Sequence, residues 1–142
     1  MSTKAVSISP ESLFRELRTL VGNWSGTSPG GYKYLVTYST LGKEGSLLEH
    51  WTFDNGGGAA TLYYLQGEDL MAAHYCPHGN QPILKLNPER KGSRYSFEFI
   101  GGSNVEVEDR FYQRQFDIEV APDRSHFARG ETYQRFGAAE SN

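Results

Sequence analysis

Long apolar runs are missing from this 142-residue chain. No stretch stays apolar over the roughly 20 residues that a membrane-spanning helix needs. The segment before Ser9 also lacks an apolar core of signal-peptide length. Cysteine occurs once, as Cys76, so no intrachain disulfide can form and nothing in the composition calls for an oxidising compartment. A cytoplasmic location is the resulting expectation. Basic clusters are scarce as well: 14 Lys and Arg stand against 17 Asp and Glu, for a net charge of −3. Phosphate binding needs grouped Lys and Arg, so a nucleic-acid partner is not expected. The densest basic run, Arg90, Lys91 and Arg94, reads as a solvated loop or strand end.

Aromatics and glycine are abundant instead, at 13% of the chain and 16 residues. Large rings separated by turn formers suit short, turn-rich β structure better than a helical bundle. Helix signals occur once. Ser9 can cap, Pro10 suits the first turn and Glu11 favours the positive end of the dipole. Leu13, Phe14, Leu17, Leu20 and Val21 then share one face, and Gly22 offers a stop, which predicts a helix over about residues 10–21.

From about residue 22 to 136 the chain reads as strands divided by turns, with a flexible tail over 137–142. Asp54-Asn55-Gly56-Gly57-Gly58, Gly67-Glu68-Asp69 and Gly101-Gly102-Ser103-Asn104 are the turn signals. Tyr95, Phe97 and Phe99 alternate with polar residues, as do Phe116, Ile118 and Val120. The expected architecture is one all-β domain: a closed antiparallel up-and-down β-barrel of about 8–10 strands with a short N-terminal helix plugging one end. Consecutive short turns favour that closure over a Greek-key sandwich.

Leu20-Val21-Gly22-Asn23-Trp24-Ser25-Gly26 resembles the Gly-x-Trp entry to the first strand of calycins, the superfamily of lipocalins, fatty-acid-binding proteins and avidins. The resemblance implies a Trp closing the barrel floor with a late Arg across its ring. Trp24 matches the Trp, with Arg135 as the first candidate for the Arg and Arg129 as the second. Indole and guanidinium stack well, which makes the pairing physically reasonable. The stretch from Asp69 to Pro82, with His74-Tyr75-Cys76 followed by Gly79-Asn80-Gln81-Pro82, is similar to a signature of small lipocalin-like proteins, most of them bacterial. What this implies is a barrel fold with a ligand cavity.

Candidate chemistry comes in several groups, each with a plainer alternative. His74, Cys76 and His78 alternate as zinc ligands on a strand would, but Pro77 and Gly79 end the strand and no fourth ligand is evident. A packed Cys76 and a hydrogen-bonded His74 is the favoured reading, and no metal site is expected. A Cys76–His74 nucleophilic pair lacks a third, orienting residue. If Trp51 faces inward so does Glu49, and Glu49 with His74 is the candidate acid/base pair; the opposite register turns Leu48 and His50 inward and solvates Glu49. Both registers stay open. Phe127, Arg129, Glu131, Tyr133 and Arg135 share a face on the last strand, so an inward face there needs an ion pair, a bulge or an anionic ligand.

Candidate ligand contacts are Trp51, Tyr64, His74, Asn80, Gln81, Tyr95, Phe97, Phe99, Arg129 and Tyr133, the aromatics serving as core and pocket wall together. Asn80 and Gln81 also read simply as turn residues. The expected function is carriage or sensing of a small, partly aromatic or acyl-like molecule, by a monomer or homodimer with no membrane partner. The alternative is an isomerase, cyclase or lyase using His74 and Glu49 in the same cavity. Haem held by His74 or His126 is a weaker reading, and no cofactor is expected.

Overall fold

A computed structural model describes residues 6–7, 9–91, 94–106, 111–123 and 127–135. Val6–Ser7 form β1 and Pro10–Arg18 form α1; β2 is Gly22–Thr27, β3 Lys33–Leu41, β4 Ser46–Phe53 and β5 Gly58–Gln66. Then follow β6 Asp69–Tyr75, β7 Gln81–Lys91, β8 Arg94–Ser103, β9 Phe111–Val120 and β10 Phe127–Arg135.

The helix forms for the reasons its sequence suggests. Ser9 Oγ accepts from the Ser12 N–H, Pro10 occupies the first turn, and Arg15 and Arg18 sit at the negative end of the dipole. It stops earlier than Gly22, because the chain tightens after Arg18. The Thr19 N–H reaches Glu16 O at 3.0 Å and the Leu20 N–H reaches Leu17 O at 3.0 Å. Gly22 belongs to β2 instead, with φ 136°. Leu13, Phe14, Leu17 and Leu20 are buried, whereas Val21, expected on the same stripe, is exposed.

β2 to β10 form one antiparallel meander in sequence order, and β1 adds to β7. The expected closed barrel is corrected here: among the described residues no ladder joins β2 to β10, so the sheet is a curled, open half-barrel. The curl is nonetheless deep. β4 and β10 lie six places apart in the strand order, which in a flat sheet means about 29 Å at ~4.8 Å per strand. Yet Glu49 on β4 contacts Arg129 on β10. Side chains meet where hydrogen bonds do not. Trp24 on β2 and Tyr38 on β3 both meet the Phe127 ring edge-on, at centroid distances of 5.4 and 5.5 Å. Bulky rings between the two edges stand where a closing ladder would need backbones about 4.8 Å apart.

The calycin floor is corrected with it. Phe127 packs on Trp24, and the Trp24 indole N–H donates to Leu20 O at 2.7 Å, tying β2 to the helix exit. Arg135 pairs with Phe111 at the other end of β10, eight residues or about 26 Å of strand from Phe127. Its side chain lies outside the described residues, as do His126 and the expected 137–142 tail.

The concave face holds the core. Val36, Tyr38, Leu47, Tyr63, Leu84, Phe97, Phe116 and Ile118 pack there under α1, which lies against β3, β5 and β6. Phe97 stacks on Phe116 at 4.6 Å, and Tyr63 meets both rings edge-on. Two strands run further than the turn signals indicate. β7 continues through Pro88, where its pairing with β8 skips between Asn87 and Lys91 because proline has no N–H to offer. Gly101 and Gly102 lie within β8, opposite Ile83 and Pro82. Gly102 has φ 145°, and a Cβ there would come within 2.4 Å of Gln81 O, so only glycine fits opposite Pro82; the bulge itself is at Ile100, left between the Gly101–Ile83 and Phe99–Leu84 pairs.

Candidate functional site

The β3–β6 registers align Tyr38, Glu49, Thr61 and His74 across four neighbouring strands. The register open at Glu49 is thereby decided: Glu49 points inward and is fully buried, while His50 is exposed. A buried carboxylate needs partners, and this one has four. Oε2 accepts from the Tyr38 hydroxyl at 2.5 Å and the Tyr63 hydroxyl at 2.8 Å. Oε1 accepts from the Trp51 indole at 2.8 Å and from Arg129 Nη1. Burial pushes the Glu49 carboxyl up, but the Arg129 charge and these hydrogen bonds outweigh it and hold it below its usual value. Burial and the Glu49 charge together push the Tyr38 and Tyr63 hydroxyls well above the ordinary phenol.

Glu49 is therefore saturated as an acceptor, since a carboxylate offers about four lone-pair sites. It does not hydrogen-bond His74, and its chemistry is that of a fixed anion that orients Arg129. The Arg129 side chain is only 4% exposed. Its guanidinium carbon lies 3.8 Å from the Phe116 ring centroid and 5.8 Å from that of Trp51. Burial acts against its charge, but Glu49 dominates and Arg129 stays protonated. Nη2 lies 3.8 Å from Glu131 Oε1, beyond hydrogen-bond reach, and Nε and Nη2 are buried with no hydrogen-bond partner. Glu131 itself accepts from the Tyr133 hydroxyl at 3.0 Å. The shared inward face of β10 is thus resolved mainly by an ion pair to a distant strand.

His74 is buried beside this cluster. Its Nδ1 lies 2.9 Å from Thr61 Oγ1, and its Nε2 is buried with no partner. Burial and the nearby Arg129 charge lower it to about 4, so the ring is neutral at pH 7.

These groups flank a cleft of about 300 Å³ inside the curl, at the small end of the range for small-molecule sites. One wall is aromatic: Tyr34 packs on Trp51 at 5.0 Å, Trp51 stacks on Phe53 at 6.3 Å, and Phe127 faces them. The Tyr34 ring rests over Gly26, where a Cβ would lie 2.4 Å from its hydroxyl. His74, Arg129, Glu131 and Tyr133 form the polar end. A larger hollow of about 530 Å³ runs from Ser25 to Asp54 across the outer rim, but no residue lining it is buried.

No family model, no curated protein and no solved structure matches this chain. The calycin resemblance, which the open sheet already contradicts, therefore has no relative behind it.

The structure brings together Trp51, His74, Arg129 and Tyr133 around the cleft, with Glu49 beneath them. It does not bring the other candidates there. Tyr64 lies on the opposite face, paired across strands with Met71, while its neighbour Tyr63 reaches Glu49. Tyr95, Phe97 and Phe99 point inward as their alternation suggests, but Tyr95 and Phe97 are buried core and Phe99 packs on Tyr112 at 4.8 Å. Asn80 is buried and donates to Phe111 O at 2.7 Å, pinning the 76–80 turn to β9. Gln81 accepts from Asn104 Nδ2 at 2.9 Å.

That turn also separates the His74, Cys76 and His78 side chains. The Cys76 N–H bonds to Asn80 O, the Gly79 N–H bonds to Cys76 O, and His78 swings out to sit between the Phe111 and Tyr133 rings. Burial raises the Cys76 thiol, which disfavours the thiolate a nucleophile needs. Tyr38 and Tyr63 were not among the sequence candidates. The signal for Tyr38 is its place opposite Glu49, visible only once the β3–β4 register is known; the Tyr63-Tyr64 doublet leaves its own parity open.

Proposed function

We propose that the chain binds a small, partly aromatic molecule without covalent attachment, in the cleft inside the curled sheet, as a carrier or sensor. The observation that carries this reading is the pairing of an aromatic wall with two buried nitrogens that have no hydrogen-bond partner, Arg129 Nη2 and His74 Nε2. A buried N–H left without an acceptor costs ~1–3 kcal/mol, and a ligand acceptor relieves that cost. Binding is favoured over proton transfer for two reasons. Glu49 is fully occupied as an acceptor, and a histidine held at about 4 is a weak base at neutral pH.

The test is native mass spectrometry of the full chain purified from its own host, intact and denatured. A reproducible excess mass that vanishes on denaturation is expected. It should also be absent from an Ala59→Phe variant, because Ala59 lines the cleft and a ring there fills it; circular dichroism would check that this variant folds. A bare chain mass in the unaltered protein, together with no binding by added small aromatics, would overturn the reading.

A further inference from the structure

We infer that the cleft selects an aromatic ligand carrying a neutral carbonyl-type acceptor, such as an amide, ketone or ester, and discriminates against carboxylates and ammonium ions. This rests on the binding reading above and deepens it. The case begins with how Arg129 is held. Glu49 takes Nη1, and Phe116 lies against the guanidinium carbon at 3.8 Å. What remains is the edge carrying Nη2 and Nε, both buried and without a hydrogen-bond partner. That edge offers hydrogen-bond donors and no acceptor.

Charge then decides what kind of acceptor fits. Arg129 and Glu49 cancel each other, and His74 is neutral. The remaining charge among the described residues lining the cleft is Glu131, whose carboxylate lies 3.8 Å from Nη2 and is one-third exposed. A ligand carboxylate brought to Nη2 would stand beside the Glu131 carboxylate, and like charges that close in a partly buried site repel strongly. An ammonium group is all donor and offers no acceptor to Nη2 or Nε, so it leaves that edge unsatisfied. A carbonyl oxygen accepts from Nη2 with neither cost, while its aromatic body lies along Tyr34, Trp51 and Phe53. His74 Nε2 supplies the second polar contact: either tautomer of the ring leaves Nε2 able to bond, as donor or acceptor according to how Thr61 holds Nδ1. Because Nη2 and Nε2 are closed to solvent, the ligand reaches them by displacing the Tyr133 ring at the rim, while Glu131 stays beside Arg129.

Three matched probes test this on the full chain: 2-naphthamide, 2-naphthoate and 2-naphthylmethylammonium, followed by calorimetry and ligand-observed NMR. The amide should bind at least roughly tenfold more tightly than either charged probe. Glu131→Gln should leave amide affinity nearly unchanged while tightening naphthoate several-fold, since it removes the repelling charge and keeps an oxygen for Tyr133. A purely structural role for Glu131 would not move that ratio. Naphthoate or the ammonium probe binding as tightly as the amide would overturn the ligand class and leave binding itself standing. If none of the three binds, the inference falls, and with a bare native mass the binding reading falls too.

Discussion

Replacing Glu49 by glutamine probes the buried cluster at its centre. The substitution keeps volume and shape but turns one acceptor oxygen into an NH₂ donor. Four groups donate to this carboxylate: the Tyr38 and Tyr63 hydroxyls, the Trp51 indole and Arg129 Nη1. At least one of them must then face another donor. Arg129, 4% exposed, also loses its counter-charge. Breaking a buried pair from one side costs about 3–5 kcal/mol, so urea unfolding at pH 7 should show Glu49→Gln destabilised by that amount. Arg129→Met removes the other charge, and the double variant should be less destabilised than the sum of the singles by ~2 kcal/mol or more.

The effect has a defined pH dependence. The Glu49 pKa is lowered from 4.5 in the folded state, so its stabilisation is whole above the unfolded value and is lost as pH falls through the lower folded one. The gap between the native chain and Glu49→Gln should stay constant from pH 7 to about 5 and shrink in stronger acid. A cost below ~1 kcal/mol at pH 7 would mean that the pair is solvated, and the account of the site would fail.

Further expectations concern groups around this cluster. His74, lowered to about 4 against an ordinary 6.5, should titrate near 4 by NMR; its neutral form contributes stability above pH 6.5 that is lost as pH falls toward 4, up to ~3 kcal/mol. A His74 midpoint at its ordinary value would refute the burial on which the cleft depends. Gly102→Ala sets a Cβ 2.4 Å from Gln81 O at φ 145° and should cost roughly 2 kcal/mol or more, read as a clear drop in Tm; an unchanged Tm would remove the case for glycine at that position. Phe127→Ala removes the ring that Trp24 and Tyr38 both meet and should cost ~2 kcal/mol. Its hydrogen exchange should quicken in β2 and β10 before β5 and β6; uniform exchange throughout would show that the seam is not a separate weak point.

Much of the fold was legible because alternation writes burial directly into a strand. Tyr95, Phe97, Phe116 and Ile118 are inward as their spacing indicates, and Ser9-Pro10-Glu11 starts the helix it suggests. Closure was not legible. Whether β2 meets β10 by ladder or by side chain depends on packing between Trp24 and Phe127, which lie at opposite ends of the chain and carry no local signal of it. The register at Glu49 was hidden because Leu47, Leu48 and Trp51 place apolar residues on both parities. The site shows the same division. Trp51, His74, Arg129 and Tyr133 could be named from residue type and face, whereas the pairing of Glu49 with Arg129 spans 80 residues and no local pattern reports a contact of that range. Asn80 and Gln81 have the chemistry of ligand contacts but use it on the turn that carries them.

The 80-residue separation between Glu49 and Arg129 has a consequence for how the chain is made. Ribosomes add about 5–20 residues per second, so the carboxylate is synthesised some 4–16 s before the guanidinium that neutralises it. During that interval β4 can pair with β3 and β5, and Tyr38 and Tyr63 can already hold Glu49 from their own strands. The counter-charge arrives only with β10, and until that strand emerges the interior holds an uncompensated carboxylate. Nascent chains halted before Arg129 would therefore carry a half-built interior, lacking both the guanidinium and the strand that holds it.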